Sequence, residues 1–304
     1  MPLYHTRRGT GKPLLLIHGL GSTHHSWDLI LDGLAARRAV IAIDLPGHGD
    51  SPALPGEISI RTLADAVTEF LRAEGLLGID AVGSSMGARL VLELARRGGV
   101  LGAVVSLDPG GFWKGWETSF FYHSVQLSAQ LVAALQPALP ALTGNPVGRS
   151  LLLAQFSARP WRIPAGVALT ELRTFVPTPT FTALLKNLAY GEVQRGAPAG
   201  SVPAPLVIGW GRQDRVCLPR QAKRAARLFP DAQLHWFDGC GHFPQLDAPR
   251  QTTQLILAVV EGTYAPARTA REAARPNQTA VLAGIAVAVL GGLFFLNQRG
   301  RSGA

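Results

Sequence analysis

The sequence predicts an α/β protein: a mostly parallel central sheet flanked by helices, with an inserted helical cap and a C-terminal transmembrane helix. Three observations carry this expectation. Short aliphatic runs alternate with amphipathic stretches in the first 111 residues and again after residue 200. That alternation stops between Phe112 and Gly200, where helix-like segments are split by seven prolines from Pro137 to Pro179. Residues 279–296, TAVLAGIAVAVLGGLFFL, carry no charge over 18 positions.

Each element follows from local pattern. The runs Leu14–Ile17, Val40–Ile43, Ile79–Val82, Ala103–Leu107, Leu206–Ile208 and Leu234–Phe237 suit buried strands of a parallel sheet. Between them, Ser26–Arg37, Ile60–Glu74, Met86–Arg97, Arg220–Leu228 and Pro249–Glu261 have helical periodicity. Strand–helix–strand order implies right-handed crossovers and helices on both faces. The resulting organisation is a core of residues 1–111 and 201–264, a cap of 112–200, a linker of 265–278 and a membrane helix of 279–297.

Composition narrows the classes. Of 304 residues, 47% are hydrophobic and only 16% charged, with mean hydropathy +0.18. Disordered chains have the opposite balance. At about 1.5 Å per residue the C-terminal run would span about 27 Å, close to a hydrocarbon core. Ala280, Gly284, Ala288 and Gly292 recur along it. They offer a small-residue face for close packing of a second copy, a homodimer contact. Five arginines and one glutamate after Ala265 leave +4 of the net +9 around this span, suited to anionic membrane lipid. No nucleic-acid motif accompanies the basic balance, so no nucleic-acid partner is expected. The N-terminus lacks the apolar run of a secretory signal. Cys217 and Cys240 have neither disulfide-framework nor metal-site spacing. They read as buried thiols, with a redox bridge as the alternative. These features predict a single-pass C-terminal anchor and a cytoplasmic catalytic domain.

The chemistry-bearing motifs lie at strand ends. Gly83-Ser84-Ser85-Met86-Gly87 joins the Ile79–Val82 strand to the following helix, a G-x-S-x-G nucleophile elbow. Small neighbours leave room for the sharp turn that exposes Ser85. Asp214 follows the Leu206–Ile208 strand, and His242 follows the Leu234–Phe237 strand. Serine alone is a weak nucleophile. His242 would take its proton, and Asp214 would fix the imidazole tautomer. His18-Gly19-Leu20-Gly21 follows the first strand, so the N–H groups of Leu20 and Met86 would form an oxyanion hole. Asp108, after the Ala103–Leu107 strand, is a rival acid to Asp214. Asp44, Asp238 and Asp247 read as loop or surface residues. His18 reads as a loop organiser. His24 and His25 read as helix-start residues rather than metal ligands, so no metal is expected.

With these motifs in this order, the chain resembles the α/β-hydrolase fold superfamily, in its capped serine-hydrolase branch. Asp44-Leu45-Pro46-Gly47-His48-Gly49-Asp50-Ser51 resembles the family's D-x-P-G-H-G-x-S loop, whose role there is structural. The resemblance covers residues 1–262. Ser84 and Ala88 depart from it, standing where His and Gly are frequent. The family's first strand is absent or very short. Serine at the elbow implies an acyl-enzyme route to carboxylic esters of apolar, lipid-derived acyl substrates, with no cofactor. Carbon–carbon bond hydrolysis, perhydrolysis and a non-catalytic, membrane-anchored binding role are the alternatives. The cluster Phe112, Trp113, Trp116, Phe120, Phe121 and Tyr122 cannot all pack on one core face. Trp27, Phe112, Trp113 and Trp116 are therefore expected to line the substrate pocket.

Overall fold

A computed structural model describes residues 2–175 and 178–265. All but the first residue of the expected linker, and the whole expected membrane helix, lie outside the described residues. Within them, no single helix is long and apolar enough to cross a membrane.

The core elements alternate as the pattern predicts. In chain order they are β1 (His5–Arg8), β2 (Pro13–Ile17), α1 (Asp28–Ala35), β3 (Ala39–Ile43), α2 (Ile60–Ala73), β4 (Ile79–Ser84), α3 (Met86–Arg97) and β5 (Leu101–Leu107). Among the described residues, five α-helices follow without a strand: α4 (Trp116–Ala134), α5 (Leu139–Gly144), α6 (Pro146–Leu153), α7 (Ala165–Thr174) and α8 (Phe181–Tyr190). The core resumes with β6 (Leu206–Gly211), α9 (Ala222–Leu228), β7 (Gln233–Phe237), α10 (Pro244–Asp247) and α11 (Pro249–Val260).

The seven strands form one sheet in the order β1-β3-β2-β4-β5-β6-β7. All neighbours are parallel except β1, which pairs antiparallel with β3 through four residues. The edge strand is thus present but very short. Side chains alternate between two cores. Leu15, Ile17, Ile41 and Ile43 face α2, α3 and α9, while Leu14, Leu16, Val40 and Ala42 face α1 and α11. Burial on both faces explains why these strands read as continuous apolar runs.

The sheet's winding reverses between β2 and β4. In open α/β sheets, ligands bind outside the carboxyl ends of the strands at such a switch. Leu20 follows β2 and Ser85 follows β4, so both flank that crevice. The opposite end of the sheet is tied shut. There Arg38 pairs with buried Asp80 and also donates to the carbonyls of Lys12, Pro13 and Val260. The insertion has its own apolar nucleus, including Val132, Leu139, Leu153 and Leu172, completed by Leu246 of α10.

Candidate active site

Ser85 sits at φ 56°, ψ −110°, outside the comfortable range of a side-chain-bearing residue. Its two flanking glycines make this turn possible. A Cβ on Gly83 would lie 2.1 Å from the Gly87 carbonyl oxygen, and one on Gly87 would lie 2.2 Å from that of Ile17. Ser85 is also the N-cap of α3, but its hydroxyl does not cap the helix. The hydroxyl instead lies 2.8 Å from His242 Nε2.

His242 Nδ1 lies 2.8 Å from Asp214 Oδ2. The other carboxylate oxygen of Asp214 accepts the N–H groups of Val216 and Cys217 at 2.7 and 3.0 Å. These two N–H groups and the His242 contact fix the orientation of the carboxylate. The His242 backbone N–H donates to Phe156 O at 2.8 Å, joining the base to the helical insertion. Asp247 strengthens that joint. It is buried and accepts the N–H groups of Gly241 and Ala158 at 2.6 and 2.9 Å. Asp247 is thus an internal brace for the His242 loop, not the loop or surface residue expected from sequence.

Asp108 does not meet His242. One of its oxygens accepts the Gly211 N–H at 2.8 Å, and the other has no partner among the described residues. Burial, and then the charge of neighbouring Asp214, push its carboxyl well above the usual range. An upward shift is the direction expected when two carboxyls are crowded together.

Leu20 and Met86 both border the cleft in front of Ser85. Among the described residues, neither backbone N–H donates to a protein acceptor. The loop carrying Leu20 is set by His18, whose Nε2 accepts the Leu45 N–H at 2.9 Å while Nδ1 meets Gly19 O at 2.7 Å. Burial lowers its pKa to about 4, so it stays neutral. His24 bonds Asp44 and His25 bonds Asp28, so the three histidines face different partners. Asp44 also accepts the Asp50 N–H, and Ser51 Oγ donates back to Asp44 O. Among the described residues, the one tight grouping of potential metal donors is Asp214, Cys217 and His242. Of these, Asp214 and His242 are hydrogen-bonded in the line to Ser85, and the Cys217 backbone N–H donates to Asp214. Cys217 and Cys240 are free and buried, and burial pushes the Cys240 thiol to about 12.

The aromatic expectations divide. Trp113 lines the cleft, stacked on Phe121 with centroids 4.1 Å apart. Trp27 does not line it, because it is fully buried in the core on the α1–α11 side of the sheet. Phe112 points beneath the cleft and packs edge-on against Trp210 and Phe229. Trp116 is 61% exposed and lies under the Arg220 guanidinium, on the outer surface. Phe156, Phe175 and Phe243 complete the cleft and were missed. Phe243 had a local signal in its adjacency to His242. Phe156 and Phe175 belong to the insertion, where no motif marks them.

Comparison with known proteins agrees with this architecture. Residues 14–255 match the alpha/beta hydrolase family. The chain is 31% identical to a pimeloyl-[acyl-carrier protein] methyl ester esterase of Methylococcus capsulatus, across 84% of this chain and 97% of that one. A thermophilic esterase from Thermogutta terrifontis superposes with TM-score 0.67 at 20% identity, covering 86% of this chain and 94% of the other. A meta-cleavage product hydrolase from Pseudomonas fluorescens gives TM-score 0.65 at 21% identity, covering 86% and 95%. Fold, motif order and the family match agree, and the chain belongs to the alpha/beta hydrolase family.

Proposed function

We propose that this chain is a serine hydrolase of carboxylic esters with apolar acyl groups, acting through an acyl-enzyme on Ser85. The observation that carries this reading is the unbroken hydrogen-bonded line from Ser85 Oγ through His242 to Asp214. In the first step, Ser85 Oγ attacks the ester carbonyl and its proton passes to His242 Nε2. The carbonyl π electrons move onto oxygen, which receives the N–H groups of Leu20 and Met86. Collapse breaks the ester C–O bond, and His242 returns the proton to the leaving alcohol. Water then repeats the sequence and releases the acid. Asp214 holds the imidazole in its working orientation and stabilises the imidazolium. The apolar cleft wall, including Trp113, Phe121 and Val125, favours a greasy acyl group. The similarity to a methyl ester esterase also favours esters over carbon–carbon bonds.

A fluorophosphonate probe should label Ser85, and Ser85→Ala should lose about 10⁴-fold or more in ester turnover while keeping its fold. Full esterase activity in Ser85→Ala would overturn the proposal.

The uncharged run at 279–296 supports a membrane tether, with the hydrolase unit on the cytoplasmic side. A tether would raise the local concentration of lipid-derived esters. Protease protection of sealed vesicles tests it: digestion of residues 1–264 only from the face that lies outside the cell would reverse the orientation.

A further inference from the structure

A second apolar cavity lies behind the cleft, and one group in it stands apart. Val132, Leu153, Ile163, Ala168 and Leu172 of the insertion form its wall, with Leu246 of α10. Glu171 of α7 opens into this wall. Its Oε2 accepts the hydroxyl of Ser22 at 2.9 Å. Glu171 is partly exposed, and among the described residues its Oε1 makes no hydrogen bond and no basic side chain pairs with the carboxyl. A carboxyl facing an apolar wall keeps only part of its hydration, and a hydrogen-bond donor entering the cavity would replace the rest. Burial raises its pKa to about 7.

The two cavities share a partition of Leu20, Phe156, Phe175 and Phe243. Leu20 is the proposed oxyanion donor, and Phe243 follows the proposed base. The volumes are about 30 Å³ beside Ser85 and about 40 Å³ beside Glu171. Ligand pockets usually hold roughly 300–1,000 Å³. Displacing the shared aromatic partition would join the two cavities into one branched site.

We propose that the cavity behind Leu20 receives one arm of the ester, and that Glu171 Oε1 selects arms carrying a hydroxyl group. This rests on ester hydrolysis at Ser85. The free oxygen accepts a hydrogen bond, which favours a donor. An ammonium donor is disfavoured, because burying an ion among these aliphatic side chains costs several kcal/mol. A hydroxyl costs much less to desolvate and satisfies the open lone pairs. The substrate class is thus an apolar ester with a hydroxyl on its acyl chain or on its alcohol.

Paired esters test this. Each pair has the same length, one member bearing a terminal hydroxyl and the other a methyl. One pair carries the change on the acyl chain, the other on the alcohol. In wild-type protein, kcat/KM should favour the hydroxylated member about tenfold in one pair. That ratio should fall to about one in Glu171→Leu and survive in part in Glu171→Gln, whose carbonyl oxygen still accepts. Equal kcat/KM within both wild-type pairs would overturn the proposal. So would an equal fall for both members in Glu171→Leu, because that is the behaviour of a brace for the Leu20 loop. If wild-type protein hydrolyses no ester, the reading of Ser85 fails instead, and a binding measurement still decides the role of Glu171. An aliphatic diol should then displace an apolar fluorescent probe about tenfold better than the monohydric alcohol of equal length, and equal displacement would overturn it.

Discussion

The α/β core and the helical insertion between β5 and β6 bury apolar surface in opposite ways. In the core, Leu14 to Ile17 are wholly enclosed and divide evenly between the two faces of the sheet. In the insertion, α4 carries apolar side chains on both sides: Phe121, Val125 and Val132 are buried while Phe120, Leu127 and Leu131 are exposed. Nine of the twelve large hydrophobic side chains exposed among the described residues lie between Trp116 and Val193. The core therefore holds reacting groups at fixed positions on a rigid sheet. The insertion shapes what reaches them, and shape tolerates many sequences.

The sharpest way to break this division is at the core's acids. Asp214→Asn should lower kcat by about 10³–10⁴-fold, since the neutral amide fails to hold the imidazole in its working tautomer. Asp108→Asn should stay within about threefold of wild type, because Asp108 faces Asp214 and Gly211 rather than His242. Steady-state kinetics on one ester check both, and a larger loss in Asp108→Asn would exchange the two roles. Next in size is the elbow's backbone. Gly87→Ala forces a Cβ to within 2.2 Å of Ile17 O, against backbone that cannot yield cheaply. It should cost roughly 3 kcal/mol or more and lower Tm by about 6–12 °C. An unchanged Tm would mean that the glycine is not required by packing.

This division also explains what was legible in the sequence. Ser85 directly follows β4, Asp214 and His242 lie in the loops after β6 and β7, and close backbone approaches demand glycine beside them. Gly83 and Gly87 are therefore readable as a turn before any contact is known. The sheet was legible because two-faced burial writes continuous aliphatic runs such as Leu14–Ile17. β1 was less so, since His5–Arg8 is an exposed edge with little apolar signal. The aromatics of the insertion were not separable by pattern. Trp113 and Trp116 are three residues apart, yet one stacks in the cleft and the other lies on the surface. What divides them is the start of α4 at Trp116 after Gly115 at φ 60°, a turn that redirects the chain. Glu171 was invisible for a related reason. Its cavity exists only once α7 meets the Ser22 loop, which is 149 residues away in sequence.

Smaller effects sharpen the insertion's half of the comparison. Trp113→Ala removes the stacked wall of the cleft, so kcat/KM should fall about tenfold or more for long-chain acyl esters and less for acetyl esters. Trp116→Ala removes only an exposed ring and should stay within about twofold. A chain-length series on both variants measures this. A parallel loss in both would mean that the outer face of α4 also meets substrate.

The smallest expected effect is a pH dependence of stability. Glu171 has its folded pKa raised to about 7, chiefly by burial, against an ordinary 4.5. Between those values the folded chain keeps a proton that the unfolded chain has lost, so raising the pH favours unfolding. His18 and His48 act in the other direction. Burial lowers them to about 4 and about 3, so acid favours unfolding below their ordinary 6.5. The opposing trends overlap in wild-type protein, and a single melting curve would not separate them. Glu171→Gln removes only the carboxyl. Its Tm relative to wild type should therefore rise as the pH goes from 4.5 to 7, by about 2–4 °C for each kcal/mol that ionisation costs the folded chain. A difference that stays flat over this window would mean that Glu171 ionises normally, with its Oε1 already hydrated in the unliganded cavity.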